Sequence, residues 1–212
     1  SKVVKNTASE YAGGILLEAG NVGLIRHSVF IRNKSKFGGA LWFYDVNLAT
    51  VTSNYFIRNF AYTNGGGLFV YETTSVTLRS NYIFGNVILS GQGAGCYISK
   101  SKFVNSSKCL FMRNIAPGNH GGGGSAERFI LIASHMNDSF VENYAKYGGA
   151  CYFYKSKLVS NININCINNS AQSCAGILSN KCKVVRLHQI LFLKNRARGS
   201  RGGGYFSTED FG

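Results

Sequence analysis

The chain has 212 residues, 26 glycines against one proline, 45% apolar and 15% charged residues, a mix that excludes a coiled coil, a collagen and an intrinsically disordered segment. Twenty-three Lys and Arg against nine Asp and Glu give a formal charge of +14, which favours acidic partners such as nucleic acid, anionic glycan, a membrane surface or an acidic protein. No stretch approaches the roughly 20 continuous apolar residues of a membrane-spanning helix.

Glycine clusters run into an apolar or small residue eight times, at Ile15, Leu41, Leu68, Cys96, Ser125, Cys151, Ile177 and Tyr205, with intervals of 26, 27, 28, 29, 26, 26 and 28 residues. A second motif, Phe-x-x-Asn, keeps step with it. Its first position is Phe30, Phe56, Ile83, Phe111, Phe140, Cys166 or Phe192, with Val3-Val-Lys-Asn6 as a degenerate copy at the start. From each post-glycine position to the next Phe position is 15 residues in all seven cases, whereas the return to the glycines takes 11 to 14. All length variation therefore sits between the Asn-x-Ala and the glycines. A fixed segment with one variable corner per turn is solenoid behaviour, because strands must keep register while a corner can bulge.

The fixed segments are rich in Val, Ile, Tyr and Phe and alternate with period two, and Gly and Asn punctuate each turn, so the segments are strands. The expected fold is all-β: a right-handed single-stranded parallel β-helix of about eight coils of 26–29 residues, three short strands per coil, forming one solenoid domain over 1–212. At about 4.8 Å per coil the rod is roughly 35–40 Å long. The row Asn6, Asn33, Asn59, Asn86, Asn114, Asn143, Asn169 and Asn195 is expected to form a corner ladder, since asparagine tolerates left-handed turn geometry. Neither end carries a capping pattern, so the chain is expected to be an internal stretch of a longer β-helix or to be capped by partners.

The pairing of Gly38-Gly-Ala-Leu41 and Gly148-Gly-Ala-Cys151 with the seven Phe-x-x-Asn phases resembles the polymorphic outer-membrane-protein repeats of chlamydial autotransporters and many protist proteins. That resemblance covers essentially the whole chain. It implies a β-helix of the pectin-lyase-like type and, for localisation, the cell surface or extracellular space. Such repeats serve adhesins, surface proteins and structural parts alike.

Six cysteines allow fifteen disulfide pairings. The phase argues against a disulfide framework: Cys96 and Cys151 take the inward post-glycine position two coils apart, roughly 9–10 Å, and Cys166 replaces an inward phenylalanine. Most are expected to be reduced, buried small hydrophobes; Cys174 and Cys182 remain open. His27, His120, His135 and His188 fall at four different phases, so no metal or cofactor is expected. Of the four Asn-x-Ser sequons, Asn33 is expected to be too buried to carry a glycan.

Three groups are candidates for function. Pectate lyases and polygalacturonases use this architecture with acidic and basic groups on adjacent coils; here Asp45 and Glu72 share one phase on neighbouring coils and could bind a cation or act as a glycosidase-type couple, with solvated carboxylates the simpler reading. Lys5, Arg32, Arg58, Arg113 and Lys194 each precede the ladder asparagine, and Arg196, Arg198 and Arg201 add to them in the last variable corner, giving a candidate anion-facing edge. The Arg-Gly-Ser-Arg-Gly-Gly-Gly run looks like an RNA-binding segment, but the repeat phase already accounts for its glycines, which argues against nucleic acid. Third, two rows are expected to face outward: Trp42, Phe69, Tyr97, Tyr152 and Phe206 with Tyr44, Tyr71 and Tyr154 beside them, and Ile31, Ile57, Phe84 and Met112 after the Phe positions. Contiguous outward apolar rows mark interfaces.

The sequence thus reads as a non-enzymatic structural scaffold that binds other protein subunits, or further coils of its own chain, through aromatic and basic faces. The alternatives are an adhesin-like module for anionic polysaccharide, with Trp42, Phe69 and Tyr97 as stacking platforms, and a carbohydrate-active lyase or hydrolase built on Asp45 and Glu72.

Overall fold

The computed structural model describes residues 1–118, 121–199 and 202–208; Arg201 and His120 lie outside them. Within that range the chain is a right-handed parallel β-solenoid of about eight coils, with no helix among the described residues. The post-glycine residues pair directly from coil to coil, Ile15 with Leu41, Leu68, Cys96, Ser125, Cys151, Ile177 and Tyr205. Val3, Phe30, Phe56, Ile83, Phe111, Phe140, Cys166 and Phe192 form a second unbroken row. Constant spacing in sequence has become constant register in space.

The coil opened by Leu68 illustrates the plan. A post-glycine strand (Leu68–Tyr71) is followed by a middle strand (Ser75–Arg79) and a Phe strand (Tyr82–Phe84). A further two-residue strand, Val87–Ile88, follows the ladder asparagine and belongs to a separate seven-stranded sheet. Where the first two strands fuse, long strands result, as in Leu41–Thr52.

The chain turns at left-handed residues, and these recur in four rows. Asp45, Glu72, Lys100, Phe129, Lys155 and Lys181 mark one corner; His27, Ser53, Ser80, Lys108, Asn137, Asn163 and Gln189 a second. Gly38, Gly65, Gly93, Gly122 and Gly148 mark the glycine corner. There each glycine pair divides two tasks. Gly65 has φ +63°, and a Cβ on its neighbour Gly66 would lie 2.5 Å from the Ala94 carbonyl oxygen of the next coil, closer than any side chain tolerates.

The fourth corner corrects the expectation for asparagine. Its left-handed residues are Lys5, Arg32, Arg58, Gly85, Arg113, Glu142, Asn168 and Lys194, each one position before the ladder asparagine. The asparagine itself turns inward and is buried from Asn33 to Asn169. Asn59 Oδ1 accepts from the Asn33 N–H and side-chain amide, while Asn59 Nδ2 donates to the Phe30 carbonyl and to Asn86 Oδ1, all at 3.0–3.1 Å. The side chain thus bridges three coils, and a buried asparagine cannot act as a glycan acceptor at Asn33.

Inside, phenylalanine rings stack in the same register, Phe30 on Phe56 at 4.9 Å and Phe111 on Phe140 at 4.7 Å. Each fully buried ring contributes about 2–3 kcal/mol by leaving water.

Candidate functional site

The outward side of the Phe strands is apolar on the first four coils. Val29 and Ile31, Tyr55 and Ile57, Tyr82 and Phe84, and Leu110 and Met112 flank the inward residue of each strand and pair in register, so they form two parallel rows on a flat face. Tyr55 is half exposed and the Ile31–Ile57–Phe84–Met112 row is partly exposed. The corner that follows carries Arg32, Arg58 and Arg113, all exposed. An apolar face with a cationic rim results. Among the described residues, Arg113 is the rim arginine with an ion-pair partner, Glu142 Oε2 at 2.6 Å.

The aromatic row differs from expectation. Trp42, Phe69, Tyr97 and Tyr152 point away from the coil interior, yet only 5–8% of each is exposed. The reason is packing: Trp42 stacks on Phe69 and Phe69 on Tyr97 at 5.2 Å each, and the glycine corner lays Tyr11 and Phe37 over them. The row is a second small core outside the coil. Its ring faces are used by one another, so Trp42, Phe69 and Tyr97 are not stacking platforms for sugar. What stays open is a groove of about 440 Å³ over the first coils. It is lined by Trp42, Phe69 and Tyr97, by Tyr11 and Phe37, by Tyr44 and Tyr71, and by Glu18. Farther along, Tyr152, Tyr154 and Phe206 continue the outer core as buried or half-buried rings.

A further outward stripe was not anticipated. Val22, Leu48, Phe103, Ile132 and Val184 align along the middle strands, broken by Ser75, and all are exposed. Period-two alternation in those strands carried the signal.

Of the basic residues, Lys194, Arg196 and Arg198 come together with Asn168, Asn169 and Ser170 around a polar cleft of about 650 Å³. Lys5, Arg32 and Arg58 lie on the same corner row, several coils away.

Asp45 and Glu72 do occupy neighbouring coils at one left-handed corner. Glu72 Oε1, however, is 3.0 Å from Lys100 Nζ, so the two carboxylates do not work as a free pair.

The densest chemistry is sealed in the core and was missed. Inside the coil opened by Ser125, His135 places Nε2 2.6 Å from Glu127 Oε1 and Nδ1 3.0 Å from Asp138 Oδ2, with all three side chains 0–1% exposed. Burial alone would push the imidazole down, but the Glu127 charge and the hydrogen bonds to both acids outweigh it and hold its pKa up at about 10. Asp138 also accepts the Cys109 N–H at 2.7 Å, extending a second inward ladder in which Asn54 and Asn81 bond the N–H one coil before them. The signal lay in phase: Glu127 stands where other coils put Phe43, Val70, Ile98 and Phe153. No group of three or more His, Cys, Asp or Glu among the described residues is arranged to hold a metal ion.

All six cysteines are buried and outside any disulfide, and burial pushes Cys96 and Cys151 well up and Cys109 up to about 12. Cys174 and Cys182 follow the others, directing their thiols at the carbonyls of Ile177 and Asn180.

No curated protein and no solved structure matches the chain. The family model described as the right handed beta helix region matches residues 1–129, more than half of the length, and the register of those coils continues unbroken to Tyr205. The chain belongs to the right-handed β-helix family.

Proposed function

We propose that this protein is a non-enzymatic scaffold whose flat Phe-strand face docks on another subunit of a larger assembly. The observation that carries this reading is the double apolar row Val29/Ile31 to Leu110/Met112, edged by Arg32, Arg58 and Arg113. A contiguous apolar patch on a rigid sheet is costly to leave in water and is the usual core of an interface. The cationic rim selects a partner whose own apolar patch is bordered by acids. The repeat's resemblance to polymorphic outer-membrane proteins supports placing that assembly at a cell surface.

The test is Ile57→Glu with Phe84→Glu in the full polypeptide, followed by sedimentation of the native assembly. The double variant should sediment as free chain, with Asn163→Asp, two coils beyond the apolar patch, as a silent control. Unchanged sedimentation would overturn the reading.

A second reading has its own observation. The cleft of Lys194, Arg196 and Arg198 suits an anionic polysaccharide, and salt-dependent retention on polyuronate, lost on triple alanine substitution, is its readout. A lyase or hydrolase reading has less support, because Glu72 is tied to Lys100 and the His135 cluster is closed to substrate; turnover abolished by Glu72→Gln would revive it.

A further inference from the structure

We propose that the aromatic groove over the first three coils is a receptor for a lysine or arginine side chain borne by an extended segment of a partner protein. The argument comes from the chain's own repeats. Tyr71 already holds a cation: Lys100 Nζ stands 4.9 Å from its ring centroid and 3.0 Å from Glu72 Oε1. Farther along the same row, the Arg128 guanidinium lies 4.5 Å over Tyr154, with Lys155 at 5.4 Å. A tyrosine of this row is thus a cation-binding surface wherever the chain supplies a cation, the ring quadrupole attracting the charge, and at Tyr71 the Glu72 carboxylate completes the clamp.

One coil before Tyr71 the same constellation recurs. Tyr44 pairs with Tyr71 on one side and with Glu18 on the other, and Asp45 follows it as Glu72 follows Tyr71. Both Glu18 and Asp45 are exposed. Among the described residues neither carboxylate has an ion-pair partner, and no lysine or arginine stands over the Tyr44 ring. In a chain of net charge +14, Glu18 in the groove lining and Asp45 next to the lining Tyr44 reverse the local charge. That complementarity selects a cationic occupant. A groove of about 440 Å³ lies in the size range of specific side-chain and ligand pockets, about 300–1,000 Å³.

Trp42 is the only tryptophan of the chain and lines the groove, so its fluorescence reads this site alone. The experiment titrates the full chain with penta-lysine amide, against which the global charge works. A saturable change in Trp42 emission is expected, weakened at least tenfold by Glu18→Gln with Asp45→Asn and unaltered by Glu142→Gln. Absence of a saturable change, or equal affinity in the double variant, would overturn the proposal. So would a neutral acetyl-Leu-Phe-Leu amide that shifts Trp42 where penta-lysine does not. Ile57→Glu lies on the other face and should leave this titration unchanged, so the groove and the docking face fail separately.

Discussion

His135 Nε2 lies 2.6 Å from Glu127 Oε1, with both side chains 1% exposed, in a solenoid whose other coils fill those positions with uncharged side chains. Glu127 lies between Ile98 and Phe153, and two rows away Val51 and Leu78 precede Ser106 and His135. One imidazolium between two carboxylates leaves the cluster short of positive charge, and Glu127 Oε2 has no hydrogen-bond partner among the described residues. Such a cluster is expensive to break and cheap to replace whole.

Removing one member should therefore cost far more than removing all three. His135→Leu alone leaves two buried carboxylates and is expected to lower stability by about 3–5 kcal/mol. The triple variant Glu127→Ile, His135→Leu, Asp138→Asn copies Ile98, Leu78 and Asn81 from neighbouring coils, and should fall within about 1–2 kcal/mol of the parent or exceed it. Urea unfolding of both settles the order; a triple variant weaker than the single one sinks the idea.

The same histidine sets a pH dependence. Its pKa is held up at about 10 in the folded chain, against about 6.5 unfolded. Between those values the folded state binds the extra proton, so stability is fully present below about 6.5 and declines as pH rises through that window. Melts between pH 6 and 7.5 stay below the range in which unfolded thiols ionise, about pH 8.5. The expected loss over that span is on the order of 1 kcal/mol, and the slope should nearly vanish in the triple variant. A slope that survives there would assign it to other groups.

The coil period, the inward Phe row and the ladder were legible because they are set by register, and register appears in sequence as constant spacing. Trp42 was read as outward because alternation gives direction and not cover: what hides it is Tyr11 and Phe37, brought over it by the corner whose length varies. The left-handed turn was assigned to asparagine by propensity, but the side-chain bonds of Asn59 require an inward position, so the turn moves to Arg58. Glu127, His135 and Asp138 stand 3 to 11 positions apart at three phases, and only their inward direction unites them.

The ladder predicts a local and directional loss. Asn59→Ala removes the acceptor of the Asn33 N–H and the donor to the Phe30 carbonyl, leaving two buried groups of the preceding coil unpaired. Each orphan costs about 1–3 kcal/mol, so a loss of roughly 2–6 kcal/mol is expected, with amide exchange accelerated first at Asn33. Asn6→Ala, at the exposed member, should cost much less. Equal losses at Asn6 and Asn59 would mean that burial of the ladder contributes nothing.

The thiols offer the most direct check on the interior. Cys96 and Cys151 pair with Ser125 from opposite sides, so they sit two coils apart, about 9–10 Å, beyond the roughly 7 Å limit for bridged Cα atoms. Thiolate is the reactive form, and burial holds Cys96, Cys109 and Cys151 in the thiol form well past neutral pH. In the native chain at pH 8, an aromatic disulfide reagent should therefore react with these three only at the rate of unfolding. Under denaturing, non-reducing conditions at least four of the six should titrate at once. Rapid native reaction at Cys96 or Cys151 would mean that the post-glycine row is not the inner wall of the solenoid, and three disulfides would overturn the registers on which every other position was assigned.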